Sequence, residues 1–258
     1  MRRRGTSVSA QEPIRISVIV PTLQEEKLLD GTLSTFSRKW RSEHNAELIV
    51  SDGGSTDRTI EIANKYADVV VLHTERRRQT IAEGRNQGAA HARGEVLVFI
   101  NGDTMPADLS RFTAAIEDFA LRRGPYARAS ALACPVRFVP SDERFADRLF
   151  HGYYNTYVRL LSVLRIGAGR GECQVVRKKM FVAVGGYKTH LVAGEDFDLL
   201  ARIGMKGRVL FASELLVFES PRRFRKFGYF RVILSWTING LSVLLRGRST
   251  SDEWEPVR

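Results

Sequence analysis

The sequence predicts an α/β fold, a mostly parallel sheet flanked by helices, on three observations. Short β-branched runs alternate with helical patterns from Ile14 onward, each of the principal early runs ends in a polar turn, and no internal repeat or low-complexity stretch breaks the rhythm. Strands alternating with helical crossovers give parallel strands with helices on both faces.

Residues 14–20 (IRISVIV) read as a buried strand. Leu29, Leu33, Phe36 and Trp40 then fall at helical spacing and predict the apolar face of one amphipathic helix. Residues 47–51 (ELIVS) form the next strand, and Ser55 or Thr56 is placed to cap a helix carrying Ile60, Ala63 and Ala67. Residues 69–72 and 96–100 (VLVFI) complete the regular series. Beyond about residue 125 the pattern loosens. Residues 131–139 read as a strand interrupted at Pro135, residues 144–164 as a helix with Tyr153, Tyr154 and Tyr157, and residues 167–171 as a glycine-rich loop. Residues 209–211 and 215–218 are short strand candidates, followed by a basic segment and an apolar run over 232–245. These boundaries divide the chain into a basic tail (1–12), a main domain (13–225) and a C-terminal helical appendage (226–258).

A chain of 258 residues with 43% hydrophobic and 27% charged residues has ordinary globular composition, which excludes disordered and fibrous classes. Cys134 and Cys173 are too few for a disulfide framework or a self-contained zinc site and suit a reducing compartment. No run reaches the ~18 to 20 apolar residues of a spanning helix. The arginines after Met1 precede no apolar stretch, so a secretory signal is not expected. The net charge of +11 is uneven: seven cations and no acid lie within residues 221–251. A basic surface favours an anionic partner.

The polar residues are informative by position. The first strand runs into Pro21-Thr22-Leu23-Gln24-Glu25-Glu26, the second into Asp52-Gly53-Gly54-Ser55-Thr56-Asp57, and residues 96–100 into Asn101-Gly102-Asp103. Ligands bind beyond the carboxyl ends of strands in an open parallel sheet, so three acid-bearing turns there converge on one site. Asp52 taken alone reads equally as a turn former. Asp103, on a tight turn after a hydrophobic strand, suits a hard cation such as Mg²⁺ or Mn²⁺ whose shell is completed by phosphate oxygens. Arg85 can pair with a phosphate through its planar fork, or be a surface helix arginine. The first strand has no G-x-G-x-x-G after it and the chain has no G-x-x-x-x-G-K-[ST], so neither a dinucleotide enzyme nor a P-loop ATPase is supported. Diphosphate and metal without a P-loop point to a nucleotide diphosphate carrying another group. Downstream, Gly194-Glu195-Asp196 opens a helical pattern with acids in its first turn. Such acids interact favourably with the helix dipole, and one can also take a proton from an acceptor hydroxyl.

Together these residues resemble the inverting family 2 glycosyltransferases. Pro21-Thr22-Leu23-Gln24-Glu25 is similar to the family's P-x-x-N-E opening with Gln for Asn; Asp52 to Asp57 resembles its D-[DG]-[GS]-S-x-D turn; Asn101-Gly102-Asp103 stands at its D-x-D; Glu195-Asp196 stands at its E-D pair. The resemblance runs in order over about residues 14–227 and implies a GT-A fold. It implies donor-nucleotide binding by Pro21, Thr22, Gln24, Glu25, Asp52, Gly53, Arg85, Asn101 and Gly102, metal binding by Asp103, and a catalytic base at Asp196 with Glu195 beside it. Ser220-Pro221-Arg222-Arg223-Phe224 is loosely similar to a Q-x-x-R-W stretch, which implies a diphosphate or acceptor role for Arg222 and Arg223; a solvated basic turn is the alternative. Asn101 departs from the first Asp of D-x-D and carries no charge, so weaker metal binding is expected there.

The expected activity is metal-dependent transfer of a sugar from a nucleotide-sugar donor to a lipid-linked or saccharide acceptor in cell-envelope polysaccharide or glycolipid synthesis. A catalytically weak nucleotide-sugar-binding protein is the alternative from another class. A sugar nucleotidyltransferase ranks lower, because Pro21-Thr22-Leu23-Gln24 replaces its glycine-rich loop. The apolar run over 232–245, as a helix, spans about 21 Å at ~1.5 Å per residue, short of a ~30 Å hydrocarbon core. Its flanking arginines and Trp236 suit an anionic membrane surface, hence a cytoplasmic protein peripheral on the membrane face. The alternative is a helix packed on the domain or in a homodimer interface. No DNA- or RNA-binding motif accompanies the charge, and nucleic acid is not an expected partner.

Overall fold

In the computed structural model the structure describes residues 13–246, 248 and 249, so the expected basic tail (1–12) and residues 250–258 lie outside the described residues. Elements run β1 (Ile16–Thr22), α1 (Leu29–Thr35), α2 (Arg38–Glu43), β2 (Ala46–Asp52), α3 (Thr59–Tyr66), β3 (Val69–Leu72), α4 (Ile81–His91) and β4 (Val96–Ile100). There follow β5 (Met105–Pro106), α5 (Leu109–Ala120), β6 (Ala129–Ala133), β7 (Val136–Phe138), α6 (Phe145–Val163), β8 (Cys173–Arg177) and α7 (Lys178–Ala183). The chain continues through α8 (Glu195–Lys206), β9 (Arg208–Phe211), β10 (Val217–Glu219), α9 (Arg222–Phe227) and α10 (Tyr229–Arg246).

Seven strands form the central sheet in the order β3-β2-β1-β4-β8-β6-β9. β3, β2, β1 and β4 are mutually parallel, as expected; β8 runs antiparallel to both β4 and β6. A second sheet, β5-β10-β7, flanks the β4 end loop. Strand alternation divides the core. Val18, Val20, Val96, Val98 and Ile100 face one layer with Leu29, Leu33, Phe36, Phe112 and Phe119. Ile19, Leu97 and Phe99 face the other, with Ala82, Ala89, Leu199, Leu200 and Ile203. This two-sided burial explains why these strands are apolar at consecutive positions.

Three expectations are corrected. The single helix through Leu29 and Trp40 is two: α1 stops at Thr35 and the Ser37 hydroxyl accepts from Trp40 N at 3.3 Å, starting α2, while both helices still bury the four apolar residues. Neither Ser55 nor Thr56 caps α3; the Asp57 carboxylate accepts from Thr59 N at 3.0 Å, and Ser55 is spent on the preceding loop. The segment after Pro221 is a helix, α9, rather than a turn, with Phe224 buried.

Candidate active site

The crevice beyond β1 and β4 opens into a cavity of about 510 Å³. That is ample for a nucleotide diphosphate and a sugar. It lies where the chain order reverses in the parallel half of the sheet, between adjacent β1 and β4. Pro21, Thr22, Glu25 and Gly53 come to its wall from β1 and the loops after β1 and β2; Asn101, Gly102 and Asp103 from the turn after β4; Glu195 and Asp196 from the start of α8; Arg85 from α4; Arg222 and Arg223 from α9.

Two of the expected donor residues stand behind this wall rather than on it. The Asp52 carboxylate is fully buried and accepts from Thr22 Oγ1 at 2.9 Å, Gly54 N at 2.9 Å, Ser55 N at 2.7 Å and Ser55 Oγ at 2.6 Å. Gln24 accepts through Oε1 from Thr56 N at 2.9 Å and Asp57 N at 3.2 Å, and donates through Nε2 to Thr56 Oγ1 at 2.8 Å. Both side chains lock the β1 and β2 loops together. They shape the pocket and, in this structure, have their hydrogen-bonding capacity turned inward.

Asp103 and Glu25 share one cation. Arg222 Nη2 donates to Glu25 Oε1 at 2.8 Å and approaches Asp103 Oδ2 at 3.0 Å. Glu25 is held by Thr59, whose hydroxyl accepts from Glu25 N at 2.7 Å. The guanidinium thus lies against the carboxylate expected to hold a metal. No cluster of three or more His, Cys, Asp or Glu suited to a metal occurs among the described residues. The donor set at the cavity wall is the Asp103 carboxylate with that of Glu25 beside it. That set fits a hard cation that keeps most of its shell for substrate phosphate oxygens, and does not fit a self-contained protein cage.

Gly194, with φ of 83°, makes the left-handed turn that starts α8 and aims Glu195 and Asp196 into the cleft. Arg85 is buried to 1% exposure, so it is no surface arginine. Its fork, expected to take a phosphate, is engaged by protein: Nη1 donates to Glu195 Oε1 at 2.8 Å, and Nη2 donates to Gly171 O at 2.6 Å and Asn101 Oδ1 at 3.1 Å. Asn101 therefore orients Arg85. The neutral amide is matched to that donor. A β-carbon on Gly171 would sit 2.8 Å from Asp196 Oδ2, so a side chain there would displace the Asp196 carboxylate.

Burial and the adjacent Glu195 carboxylate raise Asp196 to about 8, while Phe197 N donates to its Oδ1 at 2.9 Å. Burial also raises Glu195, opposed by the Arg85 guanidinium. Asp196 is thus the more basic kind of carboxylate that proton abstraction near neutral pH requires. Asp198, the third acid of the turn, belongs to structure: it pairs with Lys188 and Arg202.

A second polar cluster in the wall was not expected. Arg170 is 2% exposed and its Nη2 donates to Glu172 Oε1 at 2.7 Å and Glu219 Oε1 at 2.5 Å, while Nη1 meets His151 Nδ1 at 2.9 Å. Burial pushes Glu172 up, but Arg170 outweighs it and holds the group below the usual carboxylate range; burial pushes Glu219 well above. Burial and Arg170 lower His151 to about 3, so it is neutral. Tyr154 and Trp236 stack over Arg170, at 5.4 and 5.6 Å from its guanidinium, and also line the cavity. The only sequence signal for this cluster was the glycine-rich loop that contains Arg170.

The comparisons agree with this geometry. Residues 17–121 match the family model for glycosyl transferase family 2. Validoxylamine A glucosyltransferase of Streptomyces hygroscopicus subsp. limoneus is 35% identical over 89 residues, 33% of this chain and 20% of that protein. Glycosyltransferase AglE of Haloferax volcanii is 24% identical over 215 residues, 81% of this chain and 68% of that protein. The chain spans about a fifth of the length of the first two relatives it matches (20% and 21%). In fold it is similar to the mannosyltransferase PcManGT from Pyrobaculum calidifontis in complex with GDP-Man and Mn²⁺, with TM-score 0.69, 21% identity and coverage of 94% of this chain and 66% of that one. Glucosyl-3-phosphoglycerate synthase from Mycobacterium tuberculosis, in complex with Mn²⁺, UDP and glucosyl-3-phosphoglycerate, gives TM-score 0.60 at 16% identity over 95% of this chain and 85% of that one. Residues 17–121 are thus similar to glycosyl transferase family 2, and the architecture is the GT-A fold of these solved structures.

Proposed function

We propose that the protein is an inverting glycosyltransferase that moves a sugar from a nucleotide diphosphate donor to an acceptor hydroxyl, with Asp196 as base. The observation that carries this reading is that Asp103 and an unusually basic Asp196 line one cavity at the carboxyl ends of parallel strands. Pro21, Thr22, Gly53 and Gly102 would cradle the nucleoside, with Gln24 and Asp52 fixing the loops that carry them. Arg222 and Arg223 line the cavity and would meet the diphosphate. Asp103 would hold Mg²⁺ or Mn²⁺; such a cation supplies stabilisation of the charge developing on the leaving diphosphate. Mn²⁺ in the solved relatives of similar fold supports a divalent ion here.

In the transfer step Asp196 accepts the proton of the acceptor hydroxyl. The hydroxyl oxygen bonds to the anomeric carbon on the face opposite the diphosphate as the carbon–oxygen bond to the diphosphate breaks. One displacement inverts the anomeric centre. Arg85 and Asn101 hold Glu195 behind the base, and Glu195 keeps Asp196 basic by its negative charge.

Residues 13–225 form the catalytic unit in this reading and residues 226–258 an appendage that attaches it peripherally to the cytoplasmic membrane face, where a lipid-linked acceptor of cell-envelope polysaccharide or glycolipid synthesis is available. No helix among the described residues is long and apolar enough to cross a membrane. α10 packs on the domain through Val232 and Trp236, and leaves Phe230, Ile233, Leu234 and Ile238 exposed. Thermal-shift measurements against UDP, GDP and dTDP sugars test the donor reading: one nucleotide class is expected to raise the Tm, and more so with Mn²⁺. No shift with any of them would remove it.

A further inference from the structure

α6 carries exposed apolar side chains opposite its buried side. Its inner side buries Phe150, His151 and Val158 against the domain. Its outer side carries Phe145, Leu149, Tyr153, Tyr157, Leu160 and Leu164, spaced three or four residues apart and therefore aligned along the helix. These side chains are 44% to 75% exposed. A contiguous exposed apolar stripe of this kind marks an interaction surface. The stripe is about 28 Å long at ~1.5 Å per residue.

The charges beside the stripe indicate what covers it. Arg144, Arg159 and Arg165 are exposed along its edges, and the exposed Arg148 pairs with Glu143. The one acid within α6, Asp147, is fully buried and paired with Arg225. α10 lies against α6 through Phe150–Trp236 and Tyr154–Trp236 contacts, carries no acid, and exposes Phe230, Ile233, Leu234 and Ile238. An apolar stripe bordered by arginines complements an anionic lipid surface, with the rings and aliphatic chains in the acyl boundary and the guanidinium groups at the headgroups. We propose that the outer face of α6, with α10 beside it, docks this protein on an anionic bilayer. This rests on the peripheral attachment proposed above and moves its main contact from the C-terminal tail to α6. Since Tyr154 and Trp236, on the inner sides of the same two helices, line the cavity, docking there sets the membrane beside the cavity.

Co-sedimentation of the full chain with phosphatidylcholine vesicles, with and without phosphatidylglycerol, tests this. Wild type is expected to pellet with the anionic vesicles only. The variant Leu149→Glu/Tyr153→Glu/Leu160→Glu is expected to lose binding at least about tenfold while keeping the wild-type Tm. Arg159→Glu/Arg165→Glu, which leaves the apolar stripe intact, is expected to weaken binding as added salt does. A wild-type chain that stays in the supernatant sinks attachment altogether. A folded triple variant that pellets like wild type leaves attachment standing and overturns the α6 face. A wild-type dimer in light scattering that the triple variant converts to monomers, without vesicle binding by either, assigns the face to a second copy and likewise overturns the proposal.

Discussion

At Asp196 the local charge balance decides the chemistry. Its carboxyl has lost water to burial and faces Glu195, and Arg85, which would favour ionisation, is committed to Glu195. With the folded-state value raised to about 8, the protonated form is favoured by the fold. The sign follows: the stability from this group is fully present below the ordinary aspartate range and is lost as pH rises through about 8. Asp196→Asn is therefore expected to raise the Tm at pH 9 and change it little at pH 4, as read by scanning calorimetry. The same substitution removes the proposed base and should lower kcat by about 10² to 10⁴. The wild-type kcat/KM, in contrast, should climb on a limb near pH 8, where an ordinary aspartate would place the limb below pH 5. Arg85→Ala leaves Glu195 buried without its counter-ion and should cost about 3–5 kcal/mol in urea unfolding.

The elements bring these residues together through close approaches that leave little slack. The loop before β8 reaches Asp196 and Arg85 because Gly171 has no side chain. Gly171→Ala puts a methyl against Asp196 Oδ2, and a misplaced base of about 1 Å is enough to lower kcat about 10²-fold. Steady-state kinetics should show that loss with a Tm close to wild type, because the loop can yield without opening the core. The parallel strands β1 to β4 were legible because each is a consecutive apolar run closed by a polar turn. β8 was not. Its buried positions Cys173 to Arg177 include Gln174 and Arg177, whose polar groups are satisfied by Asp196 O, Ala129 O and Phe119 O, contacts that only the folded chain supplies. The α1–α2 break was hidden for a related reason, since the apolar spacing continues through it.

For the molecule as a whole, the gathering of the motif residues around one cavity was readable from their positions, while the partners of each charge were not. Asp103, Glu195 and Asp196 do share one cavity, but Asp52 and Gln24 stand behind it, and Arg85 holds Glu195. Distances between residues some 110 positions apart, as in the Arg85–Glu195 pair, are a property of the closed fold. The contact of Arg222 with Asp103 at 3.0 Å has a global consequence. A divalent ion must compete with that guanidinium, so Arg222→Ala should tighten Mn²⁺ binding to the donor-free protein, as measured by isothermal titration calorimetry. The most direct test of the account is nucleoside diphosphate release from a panel of sugar nucleotides, supplied with a lipid-linked or saccharide acceptor and Mn²⁺, by wild type and Asp196→Asn. One donor class should be turned over by wild type, with the rate falling at least about 10²-fold in the variant and on metal removal; equal rates in wild type and Asp196→Asn would contradict it.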